Sequence, residues 1–160
     1  MPYTVKMEGM EEITGMLKQA GEAADGIAAR ALYKGAGIVA DEISAGARGV
    51  TTKPFRYAKG WQREPSPEEK AAIVSAGAAG IAKFQKTGIE VNTSVGYSRS
   101  GYATIAGKQK PIPQIVNAIN SGTSFLKKQP FIRKAVSKAQ RKAAGAISAE
   151  VERLVAEILK

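Results

Sequence analysis

The chain opens with Tyr3, Val5 and Met7 alternating against Thr4, Lys6 and Glu8, the period of two that turns one face of a strand inward. Gly9 ends that pattern. Met10, Ile13, Leu17 and Ala20 then recur at helical spacing, with Glu11 and Glu12 in the first turn, where the helix dipole favours anions, and Gly21 at the close. A second helix is predicted from Asp25 to Ser44, because Ala28, Leu32, Gly35, Val39 and Ile43 form a stripe at steps of three and four. Gly35 and Gly37 inside it each cost about 1 kcal/mol relative to Ala, so they either permit close approach of another backbone or subunit or are simply tolerated.

Gly46 to Pro67 mixes Gly, Pro, Thr and charges around Phe55, Tyr57 and Trp61 without a period, so a long loop is expected there. Ser66-Pro67-Glu68-Glu69 then supplies an N-cap, a proline at the first helical position and acids in the first turn, which predicts a short helix over 68–79. Two antiparallel strands, Ile81 to Phe84 and Ile89 to Tyr97, flank Thr87-Gly88 as in a hairpin, with Ile89, Val91, Thr93, Val95 and Tyr97 on one face. Ser98 to Lys110 is rich in Gly and Lys and reads as a mobile tip. Ile112, Ile115, Val116 and Ile119, between Pro111 and Gly122, predict another short helix. From Gln129-Pro130 onward, Val136, Ala139, Ala143, Ile147, Val151, Leu154 and Ile158 keep helical steps throughout, predicting one helix of roughly 43 Å.

The expected fold is therefore α+β, a small antiparallel sheet packed with helices and a long C-terminal helix, in one domain over 1–160, with the loop at about 46–67 and the tip at about 98–110. That length can bury a core without disulfides or metals. Charge changes the picture more than length does. The net charge is +10, yet Val91 to Ala149 carries ten Lys or Arg and no Asp or Glu, and the fourteen basic residues elsewhere match the chain's fourteen acids. All the excess charge thus belongs to one stretch, which calls for an anionic partner or an acidic neighbouring surface. Acids gather instead near the C-terminus, at Glu150, Glu152 and Glu157, where they oppose the helix dipole, so that end is expected to fray or to meet a basic partner.

Candidate chemistry is sparse. The chain has neither Cys nor His, which removes thiolate ligands, thiol nucleophiles, imidazole relays and the commonest metal ligand, so no catalytic residue, metal or cofactor is expected. Glu11, Glu12, Asp25, Asp41, Glu42, Glu64, Glu68 and Glu69 fall in first turns and on predicted exposed faces, where capping and solvation account for them. Gly96-Tyr97-Ser98-Arg99-Ser100-Gly101 has the glycines of a phosphate loop, but no helix pattern follows at once and the Lys-Ser/Thr ending is missing, so a hairpin tip is the reading. No window approaches the run of about 18 apolar residues that would span a bilayer, and a soluble protein made in the cytoplasm is expected. On the long helix, Arg133, Lys134, Lys138, Arg141 and Lys142 lie around the side opposite Val136, Ala139 and Ala143, as a solvated face would. A nucleic-acid reading stays open through these cations and the aromatic residues Tyr97, Tyr102, Phe125 and Phe131, without a sequence-reading motif.

The run Gly122-Thr123-Ser124-Phe125-Leu126-Lys127-Lys128-Gln129-Pro130-Phe131-Ile132-Arg133-Lys134-Ala135 resembles the hallmark of the tail-completion or neck (head-tail joining) proteins of long-tailed bacteriophages, typified by gene product ten of lambdoid phages. In that family a Gly-Thr-Ser turn leads through a basic link to Pro-Phe and a long C-terminal helix. Val5 to Ile13 is similar to the family's opening strand, glycine and helix, Ala31 to Ile43 to its second helix, and Gly80 to Phe84 with Val91 to Tyr97 to its central strands. Gly46 to Thr52 departs from the Pro-Val-Asp-Thr-Gly-like motif of many members. The resemblance implies a non-catalytic subunit that forms a homo-oligomeric ring at the virion neck, between the head connector or head-closure protein and the tail tube or tail terminator, with no small-molecule substrate and no membrane. Gly122, Thr123, Ser124, Pro130 and Phe131 are expected to form its structural pivot, either as part of a subunit or partner interface or by fixing the fold alone, and Arg133, Lys134 and Lys138 to meet acidic faces of neighbouring virion proteins, with passing DNA a secondary contact. The alternative is a basic DNA-associated bacterial or prophage protein.

Overall fold

The computed structural model describes residues 3–6, 23–53, 62–76, 85–87, 90–97 and 101–158. Within them the elements are β1 (Tyr3–Lys6), α1 (Ala23–Arg48), α2 (Pro67–Ser75), β2 (Gln85–Thr87), β3 (Glu90–Val95), β4 (Tyr102–Ile105), β5 (Lys108–Pro111), α3 (Ile112–Ser121) and α4 (Phe131–Ile158). The architecture is the expected α+β one, with a three-stranded antiparallel sheet ordered β1-β3-β2 and a separate pair β4-β5.

Two long helices, α1 and α4, form the frame. Lys34 meets Glu150, Gly35 faces Ile147, Glu42 meets Lys138 and Gly46 faces Phe131, so the pair runs antiparallel. Most of the predicted stripes are buried, Ala28, Leu32, Val39 and Ile43 on α1 and Ala139, Ala143, Ile147, Val151 and Leu154 on α4, whereas Val136 is half-buried and Ile158 is exposed. Small residues let the axes come close. A Cβ built on Gly35 would lie 2.5 Å from Ile147 Cδ1, whereas one on Gly37 would meet nothing within 4 Å, so of the two glycines only Gly35 serves helix contact. β3 packs on α1, with Val91 in a cluster that includes Leu32, Ile147 and Leu154, and Val95 in one that includes Ile43, Ile73, Ile119 and Phe131.

Several boundaries differ from expectation. α1 continues to Arg48, so the loop begins later than Gly46. α2 stops at Ser75, but its start is as read: Ser66 Oγ accepts from the Glu69 N–H at 3.2 Å and the Glu69 carboxylate accepts from the Ser66 N–H at 2.9 Å, a capping box. β2 is Gln85–Thr87 and pairs Thr87 with Glu90, so Thr87, expected between the strands, is instead the last residue of one. The predicted strand Ile81 to Phe84, the helix from Met10 to Gly21, and Phe55, Tyr57 and Trp61 lie outside the described residues.

The segment read as a mobile tip over 98–110 is instead, from residue 102, a hairpin. Ile105 pairs with Lys108 across Ala106 and Gly107, whose φ values of 49° and 76° are both positive, as a type I′ turn requires. The Ala106 N–H donates to Glu68 Oε2 at 3.2 Å, which ties this turn to α2.

Candidate functional site

The link from α3 to α4 is built from its first residue upward. Gly122 ends α3 with φ 76° and ψ 166°, a region essentially restricted to glycine, while its N–H donates to Ala118 O at 2.9 Å. Thr123 folds the next turn: its Oγ1 accepts from the Phe125 N–H at 3.2 Å and the Leu126 N–H at 3.0 Å, and its own N–H donates to Leu126 O at 3.0 Å. Leu126 is thereby buried, Ser124 stays exposed, and Phe125 stands 76% exposed.

The link then zips along the loop that precedes α2. The Arg63 N–H donates to Phe125 O and the Lys127 N–H to Arg63 O, both at 2.8 Å, a one-residue parallel bridge between Arg63 and Leu126. Gln62 Nε2 donates to Thr123 O at 2.9 Å. The Gln129 side-chain amide closes the far end, accepting from the Thr51 N–H and donating to Thr51 O and to Glu64 Oε2, each at 3.0 Å. The Gln129 N–H donates to Ile119 O at 2.8 Å, and Asn120 Oδ1 accepts from the Ile132 N–H at 3.2 Å, satisfying one of the orphan donors of α4's first turn.

Beneath this seam lies an ion pair that the sequence reading missed. Glu69, expected on an exposed face, is only 5% exposed, and its two carboxylate oxygens accept from Arg63 Nη1 and Nη2, both at 2.7 Å. Burial alone would raise the Glu69 carboxyl, but the Arg63 guanidinium and the Ser66 N–H together hold it below the usual carboxylate range. The capping-box pattern was the available signal, since it fixes where the Glu69 side chain must turn.

The structure thus brings Gly122, Thr123, Pro130 and Phe131 together as one joint, in different roles. Pro130 O accepts from the Lys134 N–H at 3.1 Å and starts α4. Phe131, 6% exposed, is an internal anchor whose carbonyl would lie 3.1 Å from a Cβ on Gly46. Arg133, Lys134, Lys138, Arg141 and Lys142 are exposed as expected, with Lys138 paired to Glu42 at 2.9 Å.

Between the end of α1 and the start of α4 runs an open groove of about 380 Å³. Its rim carries Lys128, Lys134, Lys138 and Glu42; its floor is Ala45, Gly46, Val50, Phe131 and Ala135. Among the described residues, no cluster of three or more Asp or Glu gathers as metal ligands would, and no helix is long and apolar enough to cross a membrane. The Tyr97 hydroxyl is pushed by burial up to about 12, away from proton transfer at neutral pH. What fold and site define is an α+β chain whose distinctive parts are a braced joint and a cationic face. Compared with known proteins, the chain matches no family model, no curated protein and no solved structure.

Proposed function

We propose that this chain is a non-catalytic structural subunit of a long-tailed bacteriophage virion, acting in head-tail joining or tail completion at the neck. The observation that carries the reading is the joint from Gly122 to Phe131. Its sequence bears the resemblance to neck proteins, and its polar groups are spent on bracing α3, α4 and the loop before α2 rather than on converging toward a reacting atom. A braced joint of this kind holds the cationic first half of α4 at a fixed angle, which suits a subunit packed in a ring against connector and tail proteins. The test is genetic. Disruption of the gene in a phage or prophage that carries it is expected to leave filled heads and free tails unjoined in electron micrographs, and supplying the intact chain should restore joined particles labelled at the neck. Joined, infectious particles from the disrupted genome overturn the proposal.

A second reading, a basic DNA-associated protein, is favoured by one observation. Lys128, Arg133, Lys134, Arg141 and Lys142 have no carboxylate partner among the described residues. It requires duplex binding whose affinity falls with salt at a slope near the number of phosphates contacted. Absence of binding at low salt removes it.

A further inference from the structure

We infer that the groove between the end of α1 and the start of α4 is a docking site for an acidic segment of a partner protein that carries small apolar side chains on its inner side. The inference deepens the structural-subunit reading by giving the basic face of that subunit an occupant.

The chain's own carboxylates are mostly engaged elsewhere: Glu64 with Lys127, Glu69 with Arg63, Glu150 and Glu157 with Arg153, and Glu68 on the Ala106 N–H. Glu42 neutralises Lys138 across the groove, which leaves Lys128 and Lys134 on the rim with no carboxylate among the described residues. Arg133 and Lys134 stand in the first turn of α4, which has no acidic residue and where the helix dipole disfavours cations, so fold stability does not account for them. The occupant is therefore anionic. The floor selects which kind. Ala45 and Gly46, backed by the buried Val50, Phe131 and Ala135, present a small apolar surface between the cations, which a phosphate backbone would leave uncovered and a peptide with Ala or Leu beside its acids would bury. An acidic amphipathic segment satisfies both the rim and the floor.

The test uses the purified full chain and a fluorescein-labelled peptide of Glu, Ala and Leu with its acids on one helical face and its leucines on the other, followed by fluorescence anisotropy. A duplex DNA of mixed sequence serves as the second arm. Lys128→Glu with Lys134→Glu is expected to weaken peptide binding about tenfold, two rim attractions becoming repulsions. Ala45→Trp fills the groove without changing charge. It is expected to weaken the peptide while leaving DNA binding unmoved, and Lys142→Glu, outside the groove, should leave the peptide unaffected. Circular dichroism checks that each variant is folded, and the exposed Ala45 position keeps the test open should the double reversal disturb α4. Absence of peptide binding, equal binding by wild type and Ala45→Trp, or duplex DNA that displaces the peptide at equal salt overturns the inference. None of these outcomes touches the head-tail joining experiment, so the two can fail separately.

Discussion

Gly122→Ala probes the joint at the point where the backbone leaves no freedom. At φ 76° and ψ 166° an L side chain costs about 1–3 kcal/mol in backbone strain. The added Cβ would also lie 3.0 Å from Lys128 Cβ and 3.2 Å from Lys128 Cα and N. Those backbone atoms cannot retreat cheaply, because the flanking Lys127 and Gln129 N–H groups are bonded at 2.8 Å to Arg63 O and Ile119 O. Overpacking of this kind adds about 1–3 kcal/mol, and the loss of glycine's freedom in the unfolded chain returns about 0.4–1 kcal/mol. A net loss of about 3 kcal/mol is expected, which for a chain of this size lowers Tm by about 6–12 °C. The assay is urea unfolding followed by circular dichroism, with the midpoint moving and the slope m unchanged. Gly37→Ala is the control: its Cβ meets nothing within 4 Å inside α1, so it should gain up to about 1 kcal/mol from helix propensity. A Gly122→Ala protein within about 0.5 kcal/mol of wild type would refute the claim that the joint demands this backbone, since surface changes away from such features typically fall in that range.

Three other perturbations test the frame and its ion pairs. Gly35→Ala drives a methyl into Ile147 and is expected to cost about 1–3 kcal/mol by urea unfolding despite better helix propensity; paired with Ile147→Ala it should cost less than the two single changes summed, and strict additivity would exclude the contact. Glu69→Gln keeps the capping oxygen but turns an amide against one Arg63 nitrogen, for an expected loss of about 2 kcal/mol after allowing for the partial exposure of Arg63. Arg153 and Lys34 hold the Glu150 carboxyl down at about 2, against an ordinary 4.5, so its contribution is fully present above 4.5 and is lost as pH falls toward 2. Thermal melts of wild type and Glu150→Gln should therefore converge as pH is lowered through that window, and parallel curves would exclude the linkage.

What was legible in the sequence followed from periodicity. α1, α3 and α4 carry apolar residues at helical steps along nearly their whole length, and most of those positions are buried, the exceptions being Ile112, Val136 and Ile158 at or near the helix ends. The start of α2 was legible because Ser66, Pro67 and Glu69 sit where cap chemistry needs them. The β4-β5 hairpin was not. Its strands place only Ile105 fully inside, Lys108, Gln109 and Lys110 break the alternation, and Ala106-Gly107 replaces the Asn-Gly or Asp-Gly that announces a type I′ turn. That turn is held from outside by Glu68, a contact of 38 residues' separation that no local pattern encodes. Glu69 was misread for the same reason. Its charge looks solvated along the chain, and only folding turns it inward against Arg63.

The cations at the start of α4 raise a question that stability cannot answer. Lys134 follows Arg133 in the helix's opening turns, precedes Lys138 by one turn and shares the groove rim with Lys128, so it faces like charge and the positive end of the dipole together. Lys134→Glu reverses each of these terms: it places an acid near the N-terminus and four residues before Lys138, the favourable orientation. A gain of about 0.5–1 kcal/mol is expected, read as a higher urea midpoint at low ionic strength that shrinks as salt is added. If that gain is found while acidic-peptide binding falls, the lysine is kept for a partner at the fold's expense. A destabilised Lys134→Glu protein would mean that the basic face supports the fold itself, and the case for an external anion would lose its physical footing.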